Sequence, residues 1–264
     1  MKKKPANRLP RGFEMHEGDR QFATTLARGL ELLRCFTPDR PALSNRELCI
    51  ASGLPAPTIS RLTYTLMAMG YLSQEDGQTK YRLGAAVLSL GYPLIESFAF
   101  RRRARDVMME LARETHGTVS IGIRDRLSIV YIESFRYSGR RLYPIDIGTL
   151  HTMAGTAVGR ACLLSHPHDQ RAALLNRLRV QQPQEWERYG EQLLRSLEEF
   201  PRYGYCVSVG EVYPEVQAVA VPLGRIDERE PAALNCAFAG RPVNERWLRE
   251  QIAPALLATA RQLK

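Results

Sequence analysis

A chain of 264 residues is long enough for one large or two moderate packed domains, and 44% hydrophobic with 25% charged residues excludes a disordered or fibrous chain. Five widely spaced cysteines (Cys35, Cys49, Cys162, Cys206, Cys236) form no C-x-x-C pair and join no His cluster, so a disulfide framework, a metal site or another cofactor is not expected. The net charge of +9 is concentrated at the front: residues 1–105 hold 17 Lys/Arg against 9 Asp/Glu, residues 106–264 hold 20 against 19, so a polyanion partner would meet the front half.

Residues 1–18 are basic, polar and aperiodic, and a disordered arm is expected there. No apolar h-region follows the lysines, and no apolar run approaches the length of a membrane span, so a cytoplasmic protein without a membrane partner is expected. A first helix is predicted over roughly Phe22 to Phe36, with Leu26, Leu30 and Leu33 on its apolar face; "TPDRPAL" ends it. Ser44 and Glu47 have the spacing of a capping box opening a second helix, about Asn45 to Ser52. Gly53 turns the chain into a third helix, where Ile59, Leu62, Leu66 and Met69 form an apolar stripe. Its other side carries Pro57, Ser60, Arg61 and Tyr64, with Thr58 near the start, and no carboxylate among them.

"YLSQEDGQTKYRL" follows at once. Two alternating runs about Asp76-Gly77 predict a hairpin with Lys80 and Arg82 on the return strand. Two helices joined by a glycine turn and followed by a hairpin describe a winged helix-turn-helix. Arg61 is then the candidate base reader, since a guanidinium can fork onto guanine O6 and N7. Hydroxyls of Thr58, Ser60 and Tyr64 can meet phosphates or base edges, with Pro57 at the same face, and Lys80 and Arg82 can meet the backbone. The simpler alternative is a solvated helix face.

From Gly84 to His116 the pattern is helical, with a break or kink expected near Gly91-Tyr92-Pro93. Arg101, Arg102, Arg103 and Arg105 in this stretch read as a solvated face, with a bridging or phosphate-contacting role as the alternative. Beyond it the pattern is α+β. "TVSIGIRDRLSIVYIES" predicts two strands bent at Asp125-Arg126, and "TAVGRACLLSH" a short helix. "RAALLNRL" and "GEQLLRSLEEF" predict amphipathic helices, and "VQAVAVPLGRIDEREPAALNCAFAG" a strand pair. A closing helix contains "NERWLREQIAPALLATARQL".

These residues resemble a known family. "LSNRELCIASGLPAPTISRLTYTLMAMGYL" through "KYRLG" resembles the DNA-binding domain of the IclR family of bacterial transcriptional regulators. "DIGTLHTMAGTAVGRACLL" resembles that family's signature at the start of its effector domain, and "RYGYCVSVGEVYPEVQAVAVPL" the Gly-aromatic segment and alanine-rich strand that follow. The resemblance implies an α+β fold: an N-terminal winged helix-turn-helix over 19–84, a linker helix over 85–105, and a GAF-like effector-binding and oligomerisation domain with a central antiparallel sheet over 106–264. It also implies homodimers or homotetramers on a near-palindromic double-stranded operator, and control of catabolic genes by a small organic acid.

Met153, Gly155, Thr156 and Ala157 lie where small residues lead into a helix whose first amides can cradle a carboxylate, and the resemblance puts the effector there too. A tight loop that needs small residues is the plain alternative. Ser120 and Gly122 share a strand face and are candidates for the pocket floor; Ser208, Asn235, Ala218 and Ala237 are candidates for its walls. His151 is a weaker candidate, and Cys206 and Cys236 read as small buried hydrophobes. Arg160 stands where family members often carry Lys, and Ala218, Ala237 and Ala239 where they carry more polar residues. An apolar lining suits a larger, partly aromatic acid better than glyoxylate. Two other readings stay open: a DNA-binding protein with a purely structural rear domain, and an enzyme using Cys162 or Cys206 with His151, against which no G-x-S-x-G, phosphate loop or metal spacing is present.

Overall fold

The structure, a computed structural model, describes residues 9–10, 13–75, 77–137, 146–227, 231–240 and 243–263. Asp76 of the expected hairpin turn and most of the expected basic arm, residues 1–8 and 11–12, lie outside the described residues. Within the rest of that arm, Glu14–His16 form a 3-10 turn, with the His16 ring stacked on Phe22 at 4.5 Å. The chain divides into two compact units, one ending at Ser97 and the other beginning at Phe98. No helix among the described residues is long and apolar enough to cross a membrane.

The first unit holds helices α1 (Thr24–Leu33), α2 (Asn45–Ser52), α3 (Ala56–Ala68) and α4 (Ala85–Glu96). Strands β1 (Ala42–Ser44), β2 (Leu72–Ser73) and β3 (Lys80–Leu83) form a small antiparallel sheet in the order β1-β3-β2. The hairpin is the one expected, but β1 comes from the segment read as a break: Ala42 pairs with Arg82 and Ser44 with Lys80. Ser44 ends that strand and caps α2. Its amide donates to Glu47 Oε2 at 2.7 Å, and the Glu47 amide donates back to Ser44 Oγ at 3.3 Å. Gly53, at φ 70°, then closes α2 in the left-handed conformation that favours glycine.

The core of this unit is Leu32, Phe36, Leu43, Leu48, Leu54, Ile59, Leu62 and Leu72. The apolar face of α1 is rotated from the one expected. Leu26 and Leu30 are exposed, whereas Gly29 and Leu32 are buried and Leu33, the third residue of the expected face, packs on the core. In α3, Ile59, Leu62 and Thr63 are buried and Leu66 is packed on the core, but Met69 is exposed: the helix ends at Ala68 and Met69 is its C-cap. The expected break near Pro93 is also displaced. Pro93 lies within α4, where it removes one ladder bond on an exposed helix, and the chain leaves helical geometry at the buried Phe98.

The second unit opens with α5 (Ala99–Thr115) and contains a six-stranded antiparallel sheet. Its strands are β4 (Thr118–Asp125), β5 (Ser128–Arg136), β6 (Leu150–Thr152), β7 (Cys206–Val209), β8 (Val216–Arg225) and β9 (Pro231–Ala239), in the order β6-β5-β4-β9-β8-β7. One face packs on α5 and on the closing helix α10 (Ala253–Gln262). The other packs on α6 (Ala157–Leu164), which is covered in turn by α7 (His168–Gln181) and α8 (Pro183–Tyr203). Between β9 and α10 lie a short turn α9 (Glu245–Trp247) and one π-helical turn, Leu248–Ile252.

The arginine run of α5 is largely the solvated face expected of it: Arg102, Arg103 and Arg105 are exposed, and only Arg101 is drawn into the unit. Arg101 pairs with Glu133 at 3.0 Å, the exposed Arg103 with Asp227 at 3.3 Å, and Arg105 lies over the Phe135 ring. Glu133 and Asp227 come from β5 and the turn after β8, so the partners of Arg101 and Arg103 are distant in sequence.

The capping box sets a testable stability. Hydrogen bonds from the Ser44 amide and hydroxyl, then from Lys80, hold the Glu47 carboxyl down to about 2. A depressed carboxylate stabilises the fold above its ordinary value of 4.5 and loses that contribution as pH falls towards 2. Ser44→Ala is expected to cost about 1 kcal/mol in denaturant titration at pH 7, and the gap to wild type is expected to narrow between pH 4.5 and 2. A midpoint unchanged at pH 7 would show that the box does not hold α2.

Candidate functional site

On α3, burying Ile59 and Leu62 turns the opposite side outward. Pro57, Ser60, Arg61 and Tyr64 are exposed, Tyr64 by 77%, and Thr58 is half-buried. Among the described residues Arg61 has no carboxylate partner. Its carbonyl accepts from Thr65 Oγ1, and the buried Thr63 hydroxyl bonds back to Ile59, so neither threonine competes for the outward face. The wing cations are differently placed. Lys80 pairs with Glu47 at 3.1 Å and Arg82 with Glu75 at 3.8 Å. Both pairs are solvent-exposed and weak, so either cation can be transferred to a phosphate.

A cavity of about 40 Å³ lies in the second unit between the sheet and the start of α6, against the ~10–15 Å³ that one water needs. Tyr131, Asn235, Ala237, Ala218 and Ser208 line it from β5, β9, β8 and β7. The register explains the set: Ser208, Ala218 and Ala237 are directly opposite one another across three strands. His151 comes from β6, Thr156, Ala157 and Val158 from the start of α6, Val212 and Tyr213 from the β7–β8 connection, and Val216 from the first position of β8.

Of the residues expected here from sequence, Thr156, Ala157, Ser208, Ala218, Asn235 and Ala237 are brought together around the cavity. Ser120, Gly122, Met153 and Gly155 are not. Ser120 is fully buried with its hydroxyl 2.9 Å from that of Ser134, and Met153 is packed into the core. A β-carbon on Gly122 would meet Ile129 and Val158, and one on Gly155 would meet Thr152 and Val212, so both glycines admit close packing. Part of the expected amide cradle is also taken: Ala154 N–H donates to Glu185 at 2.9 Å and Gly155 N–H to Thr152 Oγ1 at 3.1 Å. Thr156 caps α6 through the Gly159 amide, which leaves the first-turn amides of Ala157 and Val158 beyond the helix's own ladder. Tyr131 was legible in principle, since strand pairing sets it opposite Gly122. Val216, two residues before Ala218 on β8, shares its strand face and was legible by alternation, whereas Val212 and Tyr213 carried no such signal, because a connection has no period.

The polar groups of the cavity form one short chain. Asn235 is 1% exposed; its Nδ2 donates to the Tyr131 hydroxyl at 3.1 Å, and its Oδ1 has no partner. The Tyr131 proton is thus free to be donated. Burial pushes the Tyr131 hydroxyl well above, and the His151 imidazole down to about 4 from its usual 6.5. The His151 ring packs on Tyr131 at 4.4 Å. Its Nε2 lies 3.1 Å from Thr149 Oγ1, whose proton goes to the Asp146 carbonyl, so Nε2–H is the donor and Nδ1 is left as an acceptor. At neutral pH the lining therefore carries no charged side chain.

Neither cysteine considered as a nucleophile lines the cavity with His151. Burial pushes the Cys206 thiol up to about 12, far from the thiolate a nucleophile requires, and Cys162 is buried with its thiol donating to the Pro231 carbonyl at 3.4 Å. No group of three or more potential metal-binding side chains occurs among the described residues.

Comparison with known proteins gives a consistent picture. Residues 25–76 match the family profile described as the IclR helix-turn-helix domain, and residues 94–264 the one described as bacterial transcriptional regulator IclR C-terminal. The chain is 33% identical over 245 residues to the HTH-type transcriptional regulator TsaQ1/TsaQ2 of Comamonas testosteroni, covering 92% of this chain and 88% of that protein. It is 26% identical over 256 residues to the p-hydroxybenzoate hydroxylase transcriptional activator of Acinetobacter baylyi, covering 92% and 91%. Among solved structures, an IclR family transcriptional regulator from Brucella abortus superposes with a TM-score of 0.81 at 39% identity, covering 93% and 92%.

The depressed imidazole has a measurable consequence. Between pH 6.5 and about 4 the unfolded chain binds a proton at His151 that the folded chain does not, so stability falls as pH drops through that window. Replacing His151 with Gln is expected to recover ~1–3 kcal/mol of the wild-type loss between pH 7 and pH 4.5 in denaturant titrations. Parallel pH profiles for the two proteins would show that the imidazole is not buried neutral.

Proposed function

The chain belongs to the IclR family of bacterial transcriptional regulators, a DNA-binding regulator and not an enzyme, and we propose that it senses a hydroxylated aromatic carboxylic acid in the cavity beside α6. The observation that carries this reading is the buried Asn235–Tyr131 pair. Asn235 Oδ1 needs a donor and the Tyr131 hydroxyl needs an acceptor, and a ligand hydroxyl is both at once. Ala218, Ala237, Val158, Val212 and Val216 supply an apolar sleeve for a ring. The carboxylate is received by the Ala157 and Val158 amides at the start of α6, where the helix dipole favours an anion and no cation is needed. The relative in Acinetobacter baylyi, whose name ties it to p-hydroxybenzoate catabolism, lends support to an aromatic effector.

The outward face of α3 reads an operator. Arg61 forks onto a base edge in the major groove, Ser60, Thr58 and Tyr64 set register on phosphates or base edges, and Pro57 lies at the same face. Lys80 and Arg82 exchange Glu47 and Glu75 for DNA backbone. Exposed Leu26 and Leu30 on α1 and Leu88, Leu90, Tyr92 and Leu94 on α4 form apolar surface suited to a second copy. A homodimer or homotetramer in the cytoplasm, on a near-palindromic site controlling catabolic genes, completes the proposal. The effector acts by binding one of two states of the protein more tightly than the other.

Two measurements test these assignments. 4-Hydroxybenzoate at 100 times its dissociation constant is expected to add about 2.7 kcal/mol to the stability of the second unit and to bind roughly tenfold more tightly than benzoate. In Asn235→Leu that preference is expected to vanish; a preference that persists assigns the hydroxyl elsewhere, and no stabilisation by either acid removes the aromatic reading. Arg61→Ala is expected to lose ~1–3 kcal/mol on operator DNA and far less on random duplex, measured by fluorescence anisotropy. Equal losses on both would reduce Arg61 to a phosphate contact.

A further inference from the structure

Arg160 points away from the effector cavity, although its helix supplies the cavity's Ala157 and Val158. It is 1% exposed and ends beside a second, polar cavity of about 260 Å³ on the far side of β7. Its Nε donates to the Ala154 carbonyl at 2.8 Å and Nη1 to the Val207 carbonyl at 3.2 Å. Nη1 and Nη2 together grip the Glu211 carboxylate. None of these acceptors lines the effector cavity. Each stands one or two residues from a residue that does: Ala154 from Thr156, Val207 from Ser208, Glu211 from Val212.

We propose that Arg160 and Glu211 are positioning residues for the effector site, with the Arg160–Glu211 pair latching the β7–β8 connection so that Val212 and Tyr213 form a closed wall and set which acids fit. The three bonds differ in how readily they yield. Ala154 and Val207 belong to the lead-in of α6 and to a paired strand. Glu211 sits in an irregular connection whose backbone bonds include Gly210 N–H to the Val216 carbonyl and Val216 N–H to the Tyr213 carbonyl, both 2.9 Å, and Gly240 N–H to the Glu215 carbonyl at 3.2 Å. Its side chain is 20% exposed and lines the polar cavity together with Ser196 and Val207, so water reaches the clamp from that side. A ring acid lodged in a cavity of about 40 Å³ presses on its walls, and Val212 and Tyr213 form the wall that belongs to no strand or helix. The inference rests on the effector reading for its purpose, not for its primary test.

The test compares the full-length protein with Glu211→Gln, which keeps the shape and one acceptor but removes the charge. Hydrogen–deuterium exchange without ligand is expected to speed up about tenfold at the amides of Gly210 and Val216, with α10 and β4 unchanged. Exchange unaltered at 210–216, or raised evenly throughout residues 98–264, would overturn the latch. The binding ratio of 4-hydroxybenzoate to the longer 4-hydroxycinnamate is then measured in both proteins. A ratio that falls at least fivefold in the variant supports the selectivity role; a ratio within twofold of wild type overturns it. Should wild type bind neither acid, the effector reading fails, and the exchange result still decides the latch. Arg160→Lys, which retains charge but not the fork, is expected to fall between wild type and Glu211→Gln in both readouts, and a value matching wild type would rule out the bidentate grip.

Discussion

A guanidinium at 1% exposure must be met by acceptors on nearly every side, because an unpaired buried charge costs several kcal/mol. Arg160 imposes that demand at the centre of the second unit. The Ala154 carbonyl before α6, the Ser196 hydroxyl on α8, the Val207 carbonyl on β7 and the Glu211 carboxylate after it all answer it. Four elements far apart in the chain are thereby brought to fixed distances from α6. The effector cavity is the space left on the other side of that arrangement.

Charge is divided accordingly. The second unit places its buried cation behind the cavity and keeps the lining neutral, with His151 held deprotonated and Tyr131 held protonated by burial. In the proposed reading, recognition there depends on directional hydrogen bonds and on helix-terminal amides, both of which gain strength where water is scarce. The first unit does the opposite. Among the described residues it leaves Arg61 in water without a carboxylate partner and ties Lys80 and Arg82 by exposed pairs, which suits a surface that gives up solvent and counterions for a polyanion.

The winged helix-turn-helix could be read from the chain because its signals are local. A capping box at Ser44 and Glu47, a left-handed glycine at 53 and a short hairpin are each decided within four to six residues. The face of α3 followed from its apolar stripe, and Ile59 and Leu62 are buried as the spacing requires. On α1 the spacing chose Leu26, Leu30 and Leu33, of which only Leu33 packs on the core, and the tertiary packing buries Gly29 and Leu32 instead. Of the α5 arginines, only Arg101 left the solvated face, because its partner Glu133 is 32 residues away.

Element type, the order of elements, the charge asymmetry and the chemistry of the reading helix were therefore properties of the sequence, since each depends on neighbours within a turn or two. Strand alternation also put Asn235 and Ala237 on one inward side, and the structure joins Ser208 and Ala218 to them. Which inward positions reach a cavity and which are packed shut, as Ser120 and Gly122 are, was decided by how α6 lies on the sheet. The unpartnered oxygen of Asn235, the neutral His151 and the two-sided role of α6 exist only once β5, β6, β7 and β9 surround that helix. Hydrogen-bond satisfaction and desolvation are sums over everything nearby in space, and no window along the chain contains them.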